Sequence, residues 1–134
     1  MKFETLDKEK VKLMQPLTLA MIGDSVHSLY VREYVARNIG SKVNKMNKLT
    51  SSVVNAGAQF RTIKKLESDL SEEEMSVVSR ARNTHIHSKS KNFSVHEYIY
   101  ATACEALLGY LYLTGQEDRL EHILKVSLEE MTND

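Results

Sequence analysis

The chain has 134 residues with 18 basic and 18 acidic side chains, so its formal net charge at neutral pH is zero. A hydrophobic fraction of 42% excludes a disordered polymer, and a single Cys excludes the internal disulfide framework of small secreted proteins. Because no apolar run approaches the roughly 20 residues that cross a bilayer, we expect one cytoplasmic domain over residues 1–134, without a membrane segment.

The first predicted elements are two long helices. Pro16 suits a first helical position, and apolar residues then recur at three- and four-residue intervals as far as Asn38, with Gly40 as the stop. A second segment, about residues 44–66, carries apolar residues on one face at helical spacing. It predicts a single helix of about six turns.

Two capping boxes mark the starts of the next helices. Ser71 is followed three residues later by Glu74, and Ser94 is followed by Glu97. In each box the Ser side chain accepts a hydrogen bond from a backbone N–H while the Glu reaches back to the cap. The second of these helices should end at Gly115.

The remaining segments complete a helical chain. Apolar spacing over about residues 117–131 predicts a last helix, whereas residues 84–92 are polar, basic and without periodicity, which indicates an exposed loop. Hairpin turns and period-two alternation, the signals of strands, are scarce. The predicted fold class is therefore all-α, a single helical bundle.

Basic and acidic residues are segregated along the chain. Residues 41–65 hold six Lys or Arg and no acid, and residues 80–92 hold four more, again without an acid. Such stretches form a local positive surface of the kind that binds phosphates, or else they are solvated helix faces. Charge alone does not choose between the two.

Two acids interrupt apolar helices. Asp24 lies in a segment that is otherwise typical of a core, and Glu105 lies among small residues and leucines. Each has a glycine nearby, Gly23 and Gly109, and a helical glycine is typical of a close approach by another backbone or a ligand. Buried carboxylates are paired, protonated or bound to metal. The pattern leaves two interpretations open: separate core acids with local partners, or a carboxylate pair that binds a hard cation.

Three other residue types carry weaker signals. His85 and His87 have the spacing of zinc ligands, but no second Cys/His pair stands at finger spacing. Cys104 is typical of a small buried hydrophobe, and His27 is typical of a histidine packed between helices. None of them predicts a catalytic nucleophile or base.

The two acid-bearing segments carry a resemblance to a known family. The segment LTLAMIGDSVHSLYVREYV resembles the signature helix of the ribonuclease III domain, and ACEALLGYLYL resembles the second catalytic helix of that family. Arg82-Asn83, Lys91-Asn92 and Tyr98-Ile-Tyr-Ala-Thr are similar to a further stretch of it. The resemblance is strongest to the Mini-ribonuclease III branch, which consists of the nuclease domain alone.

The resemblance implies a Mg²⁺-dependent endonuclease of double-stranded RNA, with Asp24 and Glu105 as metal ligands and catalytic residues. Larger members of the family carry a glutamate where this chain has Ala20 and an aspartate where it has Thr102. The family association is maturation of large-subunit (23S) ribosomal RNA, for which a ribosomal protein is a candidate cofactor. A non-catalytic helical module that binds double-stranded RNA is the alternative.

The resemblance also implies a homodimer, because cutting both strands in one encounter needs two sites related by a twofold axis. The apolar helices that contain Tyr30, Tyr34, Tyr110 or Tyr112 are candidates for its buried face. No separate double-stranded-RNA-binding domain is expected, so the basic segments would contact the RNA. The candidate RNA-binding residues are Lys45, Lys48, Arg82, Lys89, Lys91 and Asn92.

Overall fold

Helices form all the regular structure of residues 3–84 and 94–132, the part of the chain that the computed structural model describes. Along these residues run α1 (Lys8–Lys12), α2 (Pro16–Asn38), α3 (Val43–Val53), α4 (Ala56–Leu66), α5 (Glu72–Arg82), α6 (Val95–Leu113) and α7 (Glu117–Ser127). Short 3₁₀ turns follow α4 and α7, at Glu67–Asp69 and Leu128–Glu130. The all-α prediction is confirmed. None of the helices in the described residues has the length and apolarity that crossing a bilayer requires.

Several predicted helix ends are confirmed by their caps. Ser71 and Ser94 accept hydrogen bonds from the N–H groups of Glu74 and Glu97 at 3.1 and 3.0 Å, and each Glu accepts one from the N–H of its Ser. The α6 segment is followed by Gly115, whose φ of +70° is accessible to glycine at little cost. Local sequence therefore determines these boundaries.

The single helix predicted over about residues 44–66 is wrong. Val54 leaves the helical region with φ −96° and ψ 74°, and α4 begins anew at Ala56. Asn55 caps α4, since its side chain accepts a hydrogen bond from the N–H of Ala58 at 2.9 Å. Because the apolar residues keep their helical spacing across the break, the sequence pattern did not reveal it. The last helix is also shorter than predicted, because the chain tightens into a 3₁₀ turn after Ser127.

The α6 helix is the centre of the bundle. From Ala101 to Leu111 its residues are buried on every side, with Glu105 as the exception. The helices α2, α4 and α5 pack around it, and a helix that is apolar all round belongs in such an interior position. Glu105 therefore interrupts the most buried segment of the described chain.

The backbones of α2 and α6 touch where the helices cross. A Cβ atom at Gly23 would overlap the backbone carbonyl of Glu105, and one at Gly109 would overlap the backbone carbonyl of Leu19. Both predicted close approaches are thus backbone to backbone. The crossing places Asp24, the residue after Gly23, beside Glu105.

Candidate active site

Asp24 and Glu105 lie in the wall of one open cavity of about 380 Å³. Residues of α2, α4 and α6 line this cavity: Leu17, Ala20, Met21, Asp24, Ala56, Gln59, Tyr98, Ala101, Thr102 and Glu105. The structure thus brings together two acids that are 81 positions apart in the sequence (24 and 105). We call this space the acid cavity.

The two acids are buried to different degrees. Glu105 is half-buried at the side of α6, whereas Asp24 is exposed at the mouth of the acid cavity. The expectation that Asp24 occupies a core position is therefore wrong. The reason is that α2 is apolar around much of its circumference, so that apolar residues such as Met21 are exposed on its outward face as well.

The environment of Glu105 favours its protonated form. Burial and a hydrogen-bonding contact with Asp24 raise the pKa of the Glu105 carboxyl to about 8, while a hydrogen bond from Gln59 opposes that rise. Within the described residues, no group of three or more His, Cys, Asp and Glu side chains forms a metal-binding cluster. The cavity contains two acidic side chains, and the amide of Gln59 is the hydrogen-bond donor beside Glu105.

The acids that larger family members carry have small replacements here. Ala20 and Thr102 both line the acid cavity at the positions named above. The Thr102 hydroxyl donates to the backbone carbonyl of Tyr98 at 2.9 Å, so its proton is used within α6. The cavity therefore keeps two acidic side chains, with uncharged residues at the other two positions.

Behind Glu105 lies a series of buried side chains joined by hydrogen bonds, which we call the polar chain. The sequence analysis did not predict two of its residues, Gln59 and Ser127. Gln59 donates a hydrogen bond to Oε2 of Glu105 at 3.2 Å and lies 3.1 Å from Nδ1 of His27, whose Nε2 lies 3.0 Å from Oγ of Ser127. His27 is fully buried, as predicted for a packed histidine, and burial lowers its pKa to about 4. The sequence signal that could have identified Gln59 is a polar residue at a buried position of α4.

The candidate RNA-binding residues fall into two groups. Lys45 and Lys48 are exposed on α3. Arg82 is half-buried at the end of α5, where its guanidinium donates to the hydroxyl of Tyr100 at 3.0 Å. The others, Lys89, Lys91 and Asn92, lie outside the described residues, as do His85 and His87 and most of the predicted loop.

Part of the acid-free basic stretch is neutralised by acids from elsewhere in the chain. Arg61 pairs with Glu130 at 2.6 Å, and Lys65 pairs with both Glu129 and Glu130 at 3.1 Å. The C-terminal segment thus covers the charge at the end of α4. Within residues 41–65, Lys45 and Lys48 on α3 remain exposed to solvent.

Comparison with known proteins decides the family. Residues 17–116 match the model of the Ribonuclease III domain, and the chain is 44% identical to a Mini-ribonuclease 3 of Thermoanaerobacter sp. (strain X514) over 94% of its length and 89% of that protein. The chain belongs to the Mini-ribonuclease III branch of the ribonuclease III family. Asp24 and Glu105 both lie within the matched residues, and membership makes the chain a ribonuclease III-type endonuclease.

Other relatives agree with this assignment. The Mini-ribonuclease 3 of Staphylococcus aureus (strain NCTC 8325 / PS 47) is 40% identical to this chain. The match covers 85% of this chain and 87% of that protein. A crystal structure of a Fusobacterium nucleatum protein matches with a TM-score of 0.81 at 32% identity, covering 87% of this chain and 93% of that one. The helical arrangement described above is therefore that of a solved relative.

Proposed function

We propose that this chain cleaves double-stranded RNA with Mg²⁺ held by Asp24 and Glu105, and that it works as a homodimer in the maturation of 23S ribosomal RNA precursor. The observation that carries the proposal is the acid cavity, in which two carboxylates face each other beside a close backbone crossing. Membership in a ribonuclease family supplies the reaction type.

The acid cavity fits Mg²⁺ by its donors and its size. Mg²⁺ is held in enzymes by one or two carboxylates and keeps several water molecules. Asp24 and Glu105 provide the two carboxylates, and the open volume of about 380 Å³ leaves room for water and a phosphate. Burial and the neighbouring Asp24 disfavour the charged form of Glu105, and a bound cation would stabilise both ionised carboxylates.

The residues of the chain have separable tasks in the reaction. Bound Mg²⁺ supplies an activated water and neutralises the charge that develops on the phosphate. Asp24 would hold the ion from the mouth of the cavity, and Glu105 would hold it from α6. Because its surroundings raise the pKa of Glu105 to about 8, binding of the cation at neutral pH would displace the proton of this carboxyl.

An exposed apolar surface supports the homodimer. Leu29 is 67% exposed on the outward face of α2. An open apolar groove of about 200 Å³, lined by Leu29, Tyr30 and Leu120 among others, continues this surface. Tyr110 does not belong to it, since that side chain is fully buried within the chain and donates to Glu73. Covering the surface with a second copy would place two acid cavities on one particle.

Exposed lysines on α3 support a role in RNA binding. Duplex RNA is recognised largely through its phosphates and 2′-hydroxyls, and Lys45 and Lys48 present charge to solvent. The 23S precursor is the proposed natural duplex, with a ribosomal protein as a candidate cofactor that presents it.

The test is incubation of a generic RNA duplex with the protein and Mg²⁺. We expect cleavage by the wild type, none with the metal removed, and none by Asp24→Asn. Glu9→Gln, which changes an exposed acid on α1 to its amide, is the matched control and should cleave normally. Binding without cleavage by the wild type would support the non-catalytic module and sink the proposal.

A further inference from the structure

The polar chain behind Glu105 links four elements through buried side chains. It runs from Ser127 at the end of α7 to His27 in α2, then to Gln59 in α4, and ends on Glu105 in α6. Ser127, His27 and Gln59 are each at most 4% exposed. Buried polar groups that are fully paired in this way hold a single arrangement of their side chains.

The hydrogen-bond partners fix the position of each proton in the polar chain. The Ser127 hydroxyl donates to the backbone carbonyl of Leu124 at 2.6 Å, so it can only accept from His27. Nε2 of His27 therefore carries the ring proton, and Nδ1 of the neutral ring is an acceptor.

The Gln59 amide is oriented by that acceptor. Its Nε2 faces Nδ1 of His27 at 3.1 Å and Oε2 of Glu105 at 3.2 Å, so its two N–H bonds serve the two neighbours. If the amide were flipped, its oxygen would face both the lone pair of Nδ1 and the carboxylate of Glu105. The fold thus presents a fixed N–H donor to one oxygen of Glu105.

We propose that Gln59 is a positioning residue for metal binding, whose amide, oriented by His27 and Ser127, fixes the Glu105 carboxylate toward Asp24. This inference rests on the proposed function, in which Glu105 holds the metal. A donor at Oε2 restricts rotation of the carboxylate and leaves its remaining lone pairs for the cation. Gln59 is neutral, and in this role it acts through Glu105 and not as a ligand of the ion.

The first measurement is independent of metal and RNA. Side-chain ¹⁵N chemical shifts of His27 in the metal-free protein should show a protonated Nε2 and an unprotonated Nδ1. A ring protonated at Nδ1 would reverse the order of donors, turn the Gln59 amide around and overturn the inference.

The second measurement is Mn²⁺ binding to the RNA-free protein by electron paramagnetic resonance. Gln59→Met, which keeps the length of the side chain and removes the donor, should weaken binding by about 10–100-fold, the usual cost of losing a partner of a metal ligand. Ser127→Ala should weaken it less, because the amide keeps its contact with Glu105. Thr62→Val is the matched control: it removes another buried hydrogen bond from α4, between Thr62 and Ala58, and should leave Mn²⁺ binding unchanged.

The third measurement separates positioning from stability. The Mg²⁺ concentration for half-maximal cleavage should rise in Gln59→Met by the factor found with Mn²⁺, with KM for RNA unchanged. Gln59→Met and Thr62→Val should lower Tm to a similar degree, so a stability effect alone would shift both alike. If Gln59→Met binds Mn²⁺ as tightly as the wild type while Asp24→Asn does not, the positioning role is wrong and the proposed function stands. If the wild type binds no Mn²⁺, both are wrong.

Discussion

Two glutamates, Glu74 and Glu105, lie in the interior of this chain and meet opposite surroundings. Glu74 is 3% exposed and accepts two hydrogen bonds from Arg119, at 2.7 and 3.0 Å, as well as one from the N–H of Ser71. Glu105 has an aspartate and an amide beside it. The first acid is paired with a cationic side chain of the protein, whereas the second has no cationic partner among the contacts of the described residues.

Under the proposed function, this difference distinguishes an acid that stabilises the fold, Glu74, from an acid that binds metal, Glu105. Arg119 also donates to Asp69, so the Glu74 site joins α5 and α7 through a compact ion-pair cluster. Nothing more is required there for charge balance. At the acid cavity burial and the neighbouring Asp24 raise the pKa of Glu105, so ionising this carboxyl has an energetic cost, and perturbed acids of this kind are typical of binding and catalytic sites.

The largest expected effect is on activity. Asp24→Asn should lower the rate of cleavage by at least about 100-fold, because an amide cannot supply the charge that holds the ion. The helical circular-dichroism signal should stay unchanged. Rates of duplex cleavage at saturating Mg²⁺ test this, and a rate near that of the wild type would mean that Asp24 resembles Glu74 in being structural.

The opposite result is expected at the structural acid. Arg119→Leu leaves Glu74 buried and unpaired, which should lower the free energy of unfolding by about 3 kcal/mol while cleavage by the folded protein is kept. Urea unfolding and initial rates at low temperature measure the two effects. Asp118→Asn, an exposed acid in the first turn of α7, is the control. Loss of activity without loss of stability would contradict the comparison.

Acidity should affect stability through Glu105 in a defined window. The folded-state pKa of about 8 lies above the ordinary 4.5, so the folded protein binds this proton more tightly than the unfolded chain. The contribution of Glu105 to the stability of the metal-free protein should therefore fall as pH rises from about 4.5 to 8, by about 1–3 kcal/mol, and level off above that.

Glu105→Gln removes this titration and serves as the reference. The difference in unfolding free energy between Glu105→Gln and the wild type should grow across that window in EDTA and shrink in saturating Mg²⁺. A difference that is independent of pH would show that Glu105 is ionised throughout, as expected of an acid with a full set of donors. His27 acts in the other direction: its lowered pKa reduces stability as pH falls from 6.5 toward 4 in both proteins.

The smallest expected effects concern lysines, which also divide into one paired with acids of the protein and others exposed to solvent. Lys65 is paired with Glu129 and Glu130, whereas Lys45 and Lys48 are exposed on α3. Each lost phosphate contact should reduce the slope of log affinity against log salt by about 0.9. Lys45→Ala/Lys48→Ala should flatten the salt dependence of duplex binding by catalytically dead protein, and Lys65→Ala should not. Lys89→Ala/Lys91→Ala tests the other candidate pair in the same titration.

Sequence patterns predicted the parts of this fold that depend on neighbours in the chain. The Pro16 start, the two capping boxes and the glycines beside Asp24 and Glu105 are local signals, and each corresponds to a feature of the structure. The break at Asn55 was missed because the apolar period runs through it. The roles of Gln59 and Ser127 were missed because their partners, Glu105 and His27, are 46 and 100 positions away and meet them only when the helices pack.

The backbone contact between α2 and α6 has a consequence for how this protein tolerates change. Since peptide groups and not side chains set the separation of the helices at Gly23 and Gly109, the spacing of Asp24 and Glu105 is insulated from substitutions elsewhere in the core. Repacking Leu107 or Ile123 would alter stability and leave that spacing alone. Thermostabilising redesign can therefore proceed through most of the interior, provided that the two glycines are held constant.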